Sequence, residues 1–231
     1  MRIIVFGANG PTGRLLTEQA LAAGHDVVAV TRRPDDFPIE HGRLTVFGGD
    51  VHQPDSVDTA VAGADAVLSA LGVPYSKEPI TTYSEGIRHI IAAMRRHGVR
   101  RIAAVSSSAV DPKRYSEAGF LFNRVLQPYI VRVMGKTLYD DMRRMEALLA
   151  ATDLEWTVVR PGGLYALPAV TDYTMVEGHA DHRYTARVDL AAALLRLAED
   201  DLFARKIVSV VTTTDNPSLF QLVRTEALGK H

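Results

Sequence analysis

The sequence predicts an α/β fold in which a doubly wound, mostly parallel sheet is flanked by helices on both faces. Three observations carry this expectation. Short apolar runs alternate with longer segments of helical period, the pattern of parallel strands joined by crossover helices. Most of the runs are apolar throughout rather than at alternate positions, as strands buried on both faces must be. The first run passes directly into a glycine-rich turn that opens a helix.

Strands are expected at residues 2–6, 26–31, 44–47, 65–69, 101–105, 155–160 and 206–211. Helices are expected at 12–23, 55–62, 79–97, 115–134, 137–151 and 188–199, with a weaker one after Pro217. Gly24 and Gly98 follow two of these helices in the place of C-terminal caps. The longest segment without clear period runs from Gly162 to Arg183 and leaves the carboxyl end of the sixth strand, the edge at which open α/β sheets bind ligands. It reads either as a small substrate-side lid or as an irregular surface loop. With no linker, repeat or low-complexity tract, the 231 residues are expected to form one domain, with 161–185 as a substrate-side region.

Composition narrows the function classes. Hydrophobic residues at 47% and charged residues at 23% fit a soluble globular protein. A formal net charge of −1 gives no global attraction to nucleic acid or anionic lipid, so neither is an expected partner. The cluster Arg95, Arg96, His97, Arg100 and Arg101 reads as a solvated helix end and strand entry. The absence of cysteine excludes disulfides, thiolate catalysis and cysteine zinc sites. His179 and His182 lie in a polar, loop-like stretch, and no metal site is expected. The opening apolar run is too short for a signal-peptide core. The apolar runs at 120–124 and 129–132 each end in an arginine, well short of membrane-spanning length. A cytoplasmic protein is expected, a monomer or weak homodimer, with a small-molecule partner.

The turn Gly7-Ala-Asn-Gly10-Pro-Thr-Gly13 carries the first functional signal. Gly7 permits the sharp turn off the strand, Gly10 lets a pyrophosphate approach the backbone, and Gly13 allows close helix packing. Amides at the start of the following helix, aided by its dipole, suit phosphate. Gly7, Asn9, Gly10, Pro11, Thr12, Gly13 and Arg14 are therefore candidate contacts of a dinucleotide in a Rossmann-type fold. A ligand-free glycine turn is the alternative; strand, spacing and helix together argue against it. The second strand ends in Arg32 and Arg33, where an NAD-type protein usually presents a carboxylate. A guanidinium fork suits a 2′-phosphate, which favours NADP(H), although two exposed arginines opening a loop would look the same. Asp50 and Val51 are placed to meet an adenine edge. Ala70, Leu71 and Gly72 should pass the middle of the cofactor, or simply make a turn.

These residues together resemble the atypical short-chain dehydrogenase/reductase family, in its NAD(P)H-binding, NmrA-like and biliverdin reductase B/flavin reductase branch. The resemblance extends over nearly the whole chain: GANGPTGR at 7–14, VTRRP at 30–34, GGDV at 48–51, SALG at 69–72, VSSSAV at 105–110, DDMRRMEALLAATDLEWTVVRPGGL at 140–164 and TARVDLAAALL at 185–195. It implies a cofactor contact at Ser106 and aligns Ser107 with the family's catalytic serine. A serine cluster satisfying its own turn backbone is the plainer alternative. It also implies that the backbone at Pro161 and Gly162 passes beside the nicotinamide.

Conventional members carry a Tyr-x-x-x-Lys pair on the next long helix, the tyrosine as proton donor. Counted back from Glu146, those positions hold Leu138 and Met142. Tyr139 and Arg143 offer a related pair one residue along, displaced by about 100° of helix rotation, which makes Tyr139 a secondary catalytic candidate. The biliverdin reductase B branch has a histidine where this chain has Gly163, so bilin reduction is not supported residue by residue. Hydride transfer to a flavin depends chiefly on proximity and is less affected. Tyr165, Tyr173 and His179 are candidates to close the pocket, and spacing does not select among them. The expected activity is NADPH-dependent reduction of a flavin, quinone or similar conjugated acceptor. The competing reading is an NmrA-like NADP(H) redox sensor without turnover. An epimerase or lyase is a third, disfavoured by the missing tyrosine–lysine pair.

Overall fold

The computed structural model describes every residue except 112, 114, 116–118 and 216–231. Its elements run β1 (Arg2–Phe6), α1 (Pro11–Ala22), β2 (Asp26–Thr31), β3 (Leu44–Gly48), α2 (Pro54–Val61), β4 (Ala66–Ser69), α3 (Thr82–His97) and β5 (Arg101–Val105). Helical turns over 119–134 (α4) follow, then α5 (Lys136–Ala150), β6 (Glu155–Val159), β7 (Gly163–Tyr165), β8 (Thr174–Glu177), β9 (Tyr184–Ala186), α6 (Arg187–Glu199) and β10 (Lys206–Val211). Eight strands form the main sheet in the order β3-β2-β1-β4-β5-β6-β10-β8, and β7 pairs with β9 separately. All neighbours in the main sheet are parallel except β8, which runs antiparallel along the edge of β10. The order reverses between β1 and β4, so the crevice at their carboxyl ends is the topological switch point at which such sheets bind ligands.

Strand period separates two cores. Ile4 and Phe6 of β1 join Val28, Val67, Ile87, Met94, Met145 and Leu149 on the face covered by α2, α3 and α5. Ile3 and Val5 join Leu16, Ala29, Leu68, Leu190 and Leu194 on the face covered by α1 and α6. Alternate residues of one strand thus serve opposite layers, which is why the central strands are apolar throughout. Gly98 ends α3 in the left-handed conformation, φ +71°, and the strongly basic last turn Arg95, Arg96 and His97 suits the negative end of the helix dipole.

The structure departs from the sequence expectation in three places. The aperiodic stretch contains β7 and β8, and β9 follows it directly; each has three or four residues, too short for a period to show. Tyr115, where a helix is expected to begin, is itself not helical: the Asn123 side chain holds its backbone, accepting from its N–H at 2.9 Å and donating to its carbonyl at 2.8 Å. Within α4 the turns widen to π geometry at Phe122–Leu126 and Ile130–Met134. The helix expected after Pro217 lies outside the described residues.

Candidate functional site

The carboxyl ends of six parallel strands bring the sequence candidates to one edge. Phe6 pairs with Val30 and Ser69, Thr31 with Gly48, Ser69 with Ala104, and Val105 with Val159. The segments beginning at Gly7, Arg32, Gly49, Ala70, Ser106 and Arg160 therefore leave the sheet side by side.

Gly7 adopts φ +75°, and a Cβ there would lie 2.6 Å from the Ala70 carbonyl oxygen. A Cβ on Gly13 would strike the backbone of Gly7 and Ala8. A Cβ on Gly10 would meet only the Gly7 oxygen, at 3.3 Å. The first and third glycines let the turn fold on itself, and the second leaves its outer face open. Helix α1 starts at Pro11, whose missing N–H costs nothing at that position, and no side chain caps it. Arg14 Nε donates to Asn9 Oδ1 at 2.9 Å, fixing the Asn9 amide. Its Nδ2 is buried with no partner. A buried donor without an acceptor is costly, and together with an uncapped helix start it makes an anion cradle. The residues present fit a dinucleotide pyrophosphate.

Arg32 and Arg33 are exposed beyond β2. Arg33 makes one long contact with Asp36, at 3.7 Å. Asp50 takes the His52 amide on Oδ1 at 3.0 Å, and Val51 is buried beneath it against Gly86. Ala70 is tied to Phe6 by its N–H at 2.9 Å, whereas Gly72 is exposed and has nothing within 4 Å of a built Cβ.

The β5–β6 side of the rim is built differently. Ser106 is buried, and its hydroxyl donates to Glu146 Oε1 at 2.6 Å, so it turns into the protein. Arg160 forks onto the same carboxylate, Nε to Oε1 at 3.0 Å and Nη2 to Oε2 at 2.6 Å. Burial pulls the Arg160 pKa down, but the hydrogen bond and charge of Glu146, with Asp111 behind them, outweigh it and hold it above its ordinary value. Ser107 Oγ accepts the Ala109 N–H at 3.2 Å. A hydroxyl that accepts still has its proton to give, so Ser107 combines the local-turn reading with a donor available to a ligand. Pro161 and Gly162 are committed internally, the first through its carbonyl to the Ser108 N–H at 2.9 Å and the second through its N–H to Thr185 Oγ1 at 3.0 Å.

Leu138 and Met142 pack in the core, so the conventional tyrosine and lysine positions are apolar and buried. Tyr139 is buried beside them, yet its hydroxyl reaches the half-exposed Tyr75 hydroxyl at 2.8 Å. Arg143 Nε donates to the Val110 carbonyl at 2.9 Å. Both thus face loops at the carboxyl edge despite the shifted register. The Tyr165 hydroxyl donates to the Thr214 carbonyl at 2.6 Å, and burial raises its pKa. Tyr173 packs on the α1/α6 core instead. His179 lies 5.5 Å, centroid to centroid, from Tyr115, whose hydroxyl donates to Ser108 Oγ at 3.1 Å.

Three buried carboxylates escaped the sequence reading. Besides Glu146, Asp141 takes the Tyr83 amide at 2.8 Å and thereby caps α3, while Asp189 takes the Thr171 amide and hydroxyl and the Thr212 hydroxyl at 2.6–2.8 Å. Asp189 so ties the 161–185 region to the end of β10. Among the described residues no group of three or more histidines and carboxylates could hold a metal ion, and no helix is long and apolar enough to cross a membrane.

Comparison with known proteins agrees with this geometry. The chain is 26% identical over 225 residues to the photosystem II assembly factor Ycf39 of Synechocystis sp., covering 91% of this chain and 62% of that protein. It thus spans less than two thirds of that relative's own length. It is 26% identical over 233 residues to the oxidoreductase AgnL4 of Paecilomyces divaricatus, covering 90% of this chain and 84% of that one. A short-chain dehydrogenase/reductase of Veillonella parvula, solved in complex with NADP, superimposes with a TM-score of 0.76 at 21% identity, covering 94% of this chain and 99% of that one, and speaks for the fold. Residues 7–201 match the family model described as NAD(P)H-binding. The chain belongs to that NAD(P)H-binding family.

Proposed function

We propose that the chain is an NADPH-dependent reductase of a flavin, quinone or similar conjugated acceptor, with residues 161–185 forming the acceptor side of a single domain. The observation that carries this reading is the pairing of an unpartnered anion cradle at Asn9 and the start of α1 with the exposed arginines that end β2. A bound nicotinamide cofactor supplies hydride. The chain's own part is to hold the pyrophosphate on the Gly7–Gly13 turn and to grip a 2′-phosphate with Arg32 and Arg33. The 48–51 and 70–72 segments pass along the adenosine and the cofactor's middle. Ser107 can donate a hydrogen bond to the acceptor as charge develops, and solvent can supply the proton.

Purified protein given NADPH and a panel of flavins and quinones should oxidise the cofactor in an acceptor-dependent way. Inactivity across the panel, with NADPH binding intact, overturns the reading. Arg32→Ala combined with Arg33→Ala should weaken NADPH by about tenfold or more relative to NADH, because the lost charge-assisted bonds serve only the 2′-phosphate. Equal weakening of both rejects the choice of NADPH.

A second reading, an NADP(H) sensor without turnover, draws on the apolar burial of Leu138 and Met142 and the inward Ser106. A relative whose name is that of an assembly factor is in keeping with it. It calls for affinities that differ between NADPH and NADP⁺, with no acceptor reduced.

A further inference from the structure

The described exposed large hydrophobic side chains are concentrated in one element. Seven of the twelve, Phe120, Leu121, Val125, Leu126, Tyr129, Val133 and Met134, lie on α4, with Phe120 and Leu121 more than 70% exposed. Isolated surface hydrophobics need no explanation, but a contiguous apolar face on a single helix does. The same sixteen residues contain Arg124 and Arg132, both exposed, and no carboxylate. Neither arginine makes an ion pair among the described residues, whereas nearby Lys113 and Lys136 pair with Asp111 and Asp140.

From this face we infer that α4 docks on the surface of an anionic lipid bilayer. Phe, Leu, Val, Met and Tyr side chains would enter the headgroup boundary, while the two guanidinium groups reach lipid phosphates, as in interfacial basic amphipathic helices. Charge selects this occupant over the alternatives. In a twofold pairing of α4 with a second copy, the same unneutralised arginines would come from both chains onto one apolar seam. The net charge of −1 does not oppose the inference, because the attraction depends on charge within a Debye length of the bilayer. Docking does not require spanning, for which α4 is too short. The helix runs into Gly135, where a Cβ would press on Tyr139 and Tyr75, so the docked element ends beside that tyrosine pair.

The test is vesicle flotation of the full chain, with and without NADPH, on phosphatidylcholine alone and on phosphatidylcholine with phosphatidylglycerol. Binding to the anionic vesicles is expected, weakened by salt, and about thirtyfold weaker for Arg124→Gln with Arg132→Gln, from two basic groups at an anionic surface. Phe120→Ser with Val133→Ser should reduce binding at every salt concentration. Circular dichroism and NADPH binding report whether each variant is folded, so their loss cannot pass for loss of docking. The inference is overturned by failure of the folded parent to float, by equal binding to neutral vesicles, or by unchanged binding of both variants. It is equally overturned if sedimentation velocity finds a dimer that Phe120→Ser with Val133→Ser dissolves, since a second copy then covers the face. Acceptor reduction is not a readout here, so this inference and the proposed activity can fail separately.

Discussion

The two halves of the carboxyl-edge rim handle their polar groups in opposite ways. At the Gly7–Gly13 turn and the end of β2, donors are left without partners among the described residues: the buried Asn9 Nδ2, the start of α1, which no side chain caps, and the exposed Arg32. At the ends of β5 and β6, donors and acceptors are spent on one another: Ser106 and Arg160 on Glu146, Gly162 on Thr185, Tyr139 on Tyr75. A surface built to receive a charged ligand must leave its hydrogen bonds unmade until the ligand arrives. The first half meets that condition, and the second, Ser107 apart, is stabilised for its own sake. Conventional relatives place a proton donor on the second half. Here hydrophobic packing occupies those positions, and the proposed acceptors are ones that need only proximity to hydride.

The largest expected effect tests the self-contained half. Glu146→Gln leaves Arg160, a largely buried cation, with only the longer 3.7 Å contact to Asp111 and should cost about 3 kcal/mol of stability in urea unfolding, since breaking a buried pair leaves its charge poorly compensated. NADPH affinity of the folded variant should stay near that of the parent. If affinity falls along with stability, the halves are not separate. Next comes Gly13→Ala, whose new Cβ falls on the Gly7 and Ala8 backbone, which cannot yield as a flexible side chain would. Overpacking of about 1–3 kcal/mol should appear as roughly a 5- to 150-fold loss of NADPH affinity by fluorescence titration. An unchanged affinity would mean that the cradle is not where the cofactor is held.

The legible and illegible parts of this molecule divide along similar lines. Strand positions, the glycine turn and the β2 arginines are local patterns, fixed by spacing along the chain, and could be read directly. The buried carboxylates are not local, because Glu146 acts on Ser106 and Arg160 across three elements and Asp189 on Thr171 and Thr212 across two loops. A signal for them did exist. Asp141 and Glu146 interrupt the apolar stripe Leu138, Met142, Met145 and Leu149 of α5, and an acidic residue on a buried stripe must be paired or bonded to stay there. Strands β7, β8 and β9 gave no such signal. Tyr115 lies outside the helix because Asn123 reaches back to hold its backbone, which no periodicity encodes.

The smallest expected effect concerns Tyr83, at the start of α3 on the self-contained side. Burial, offset in part by a hydrogen bond to the Val73 backbone and reinforced by the charge of Asp141, pushes its pKa up to about 12. In the unfolded chain the phenol ionises near its ordinary value of about 10. Since the folded pKa is the higher, Tyr83 does not oppose folding below pH 10, and above it the unfolded state gains by releasing a proton that the folded state retains. The penalty reaches about 1.4 kcal/mol at pH 11, one unit above the unfolded value. Tyr83→Phe removes the titration, so the gap between parent and variant in urea unfolding should shift by about 1.4 kcal/mol in the variant's favour from pH 8 to pH 11. A gap that stays constant from pH 8 to pH 11 would show that Tyr83 ionises as readily folded as unfolded, and that this side of the rim admits water to its polar groups after all.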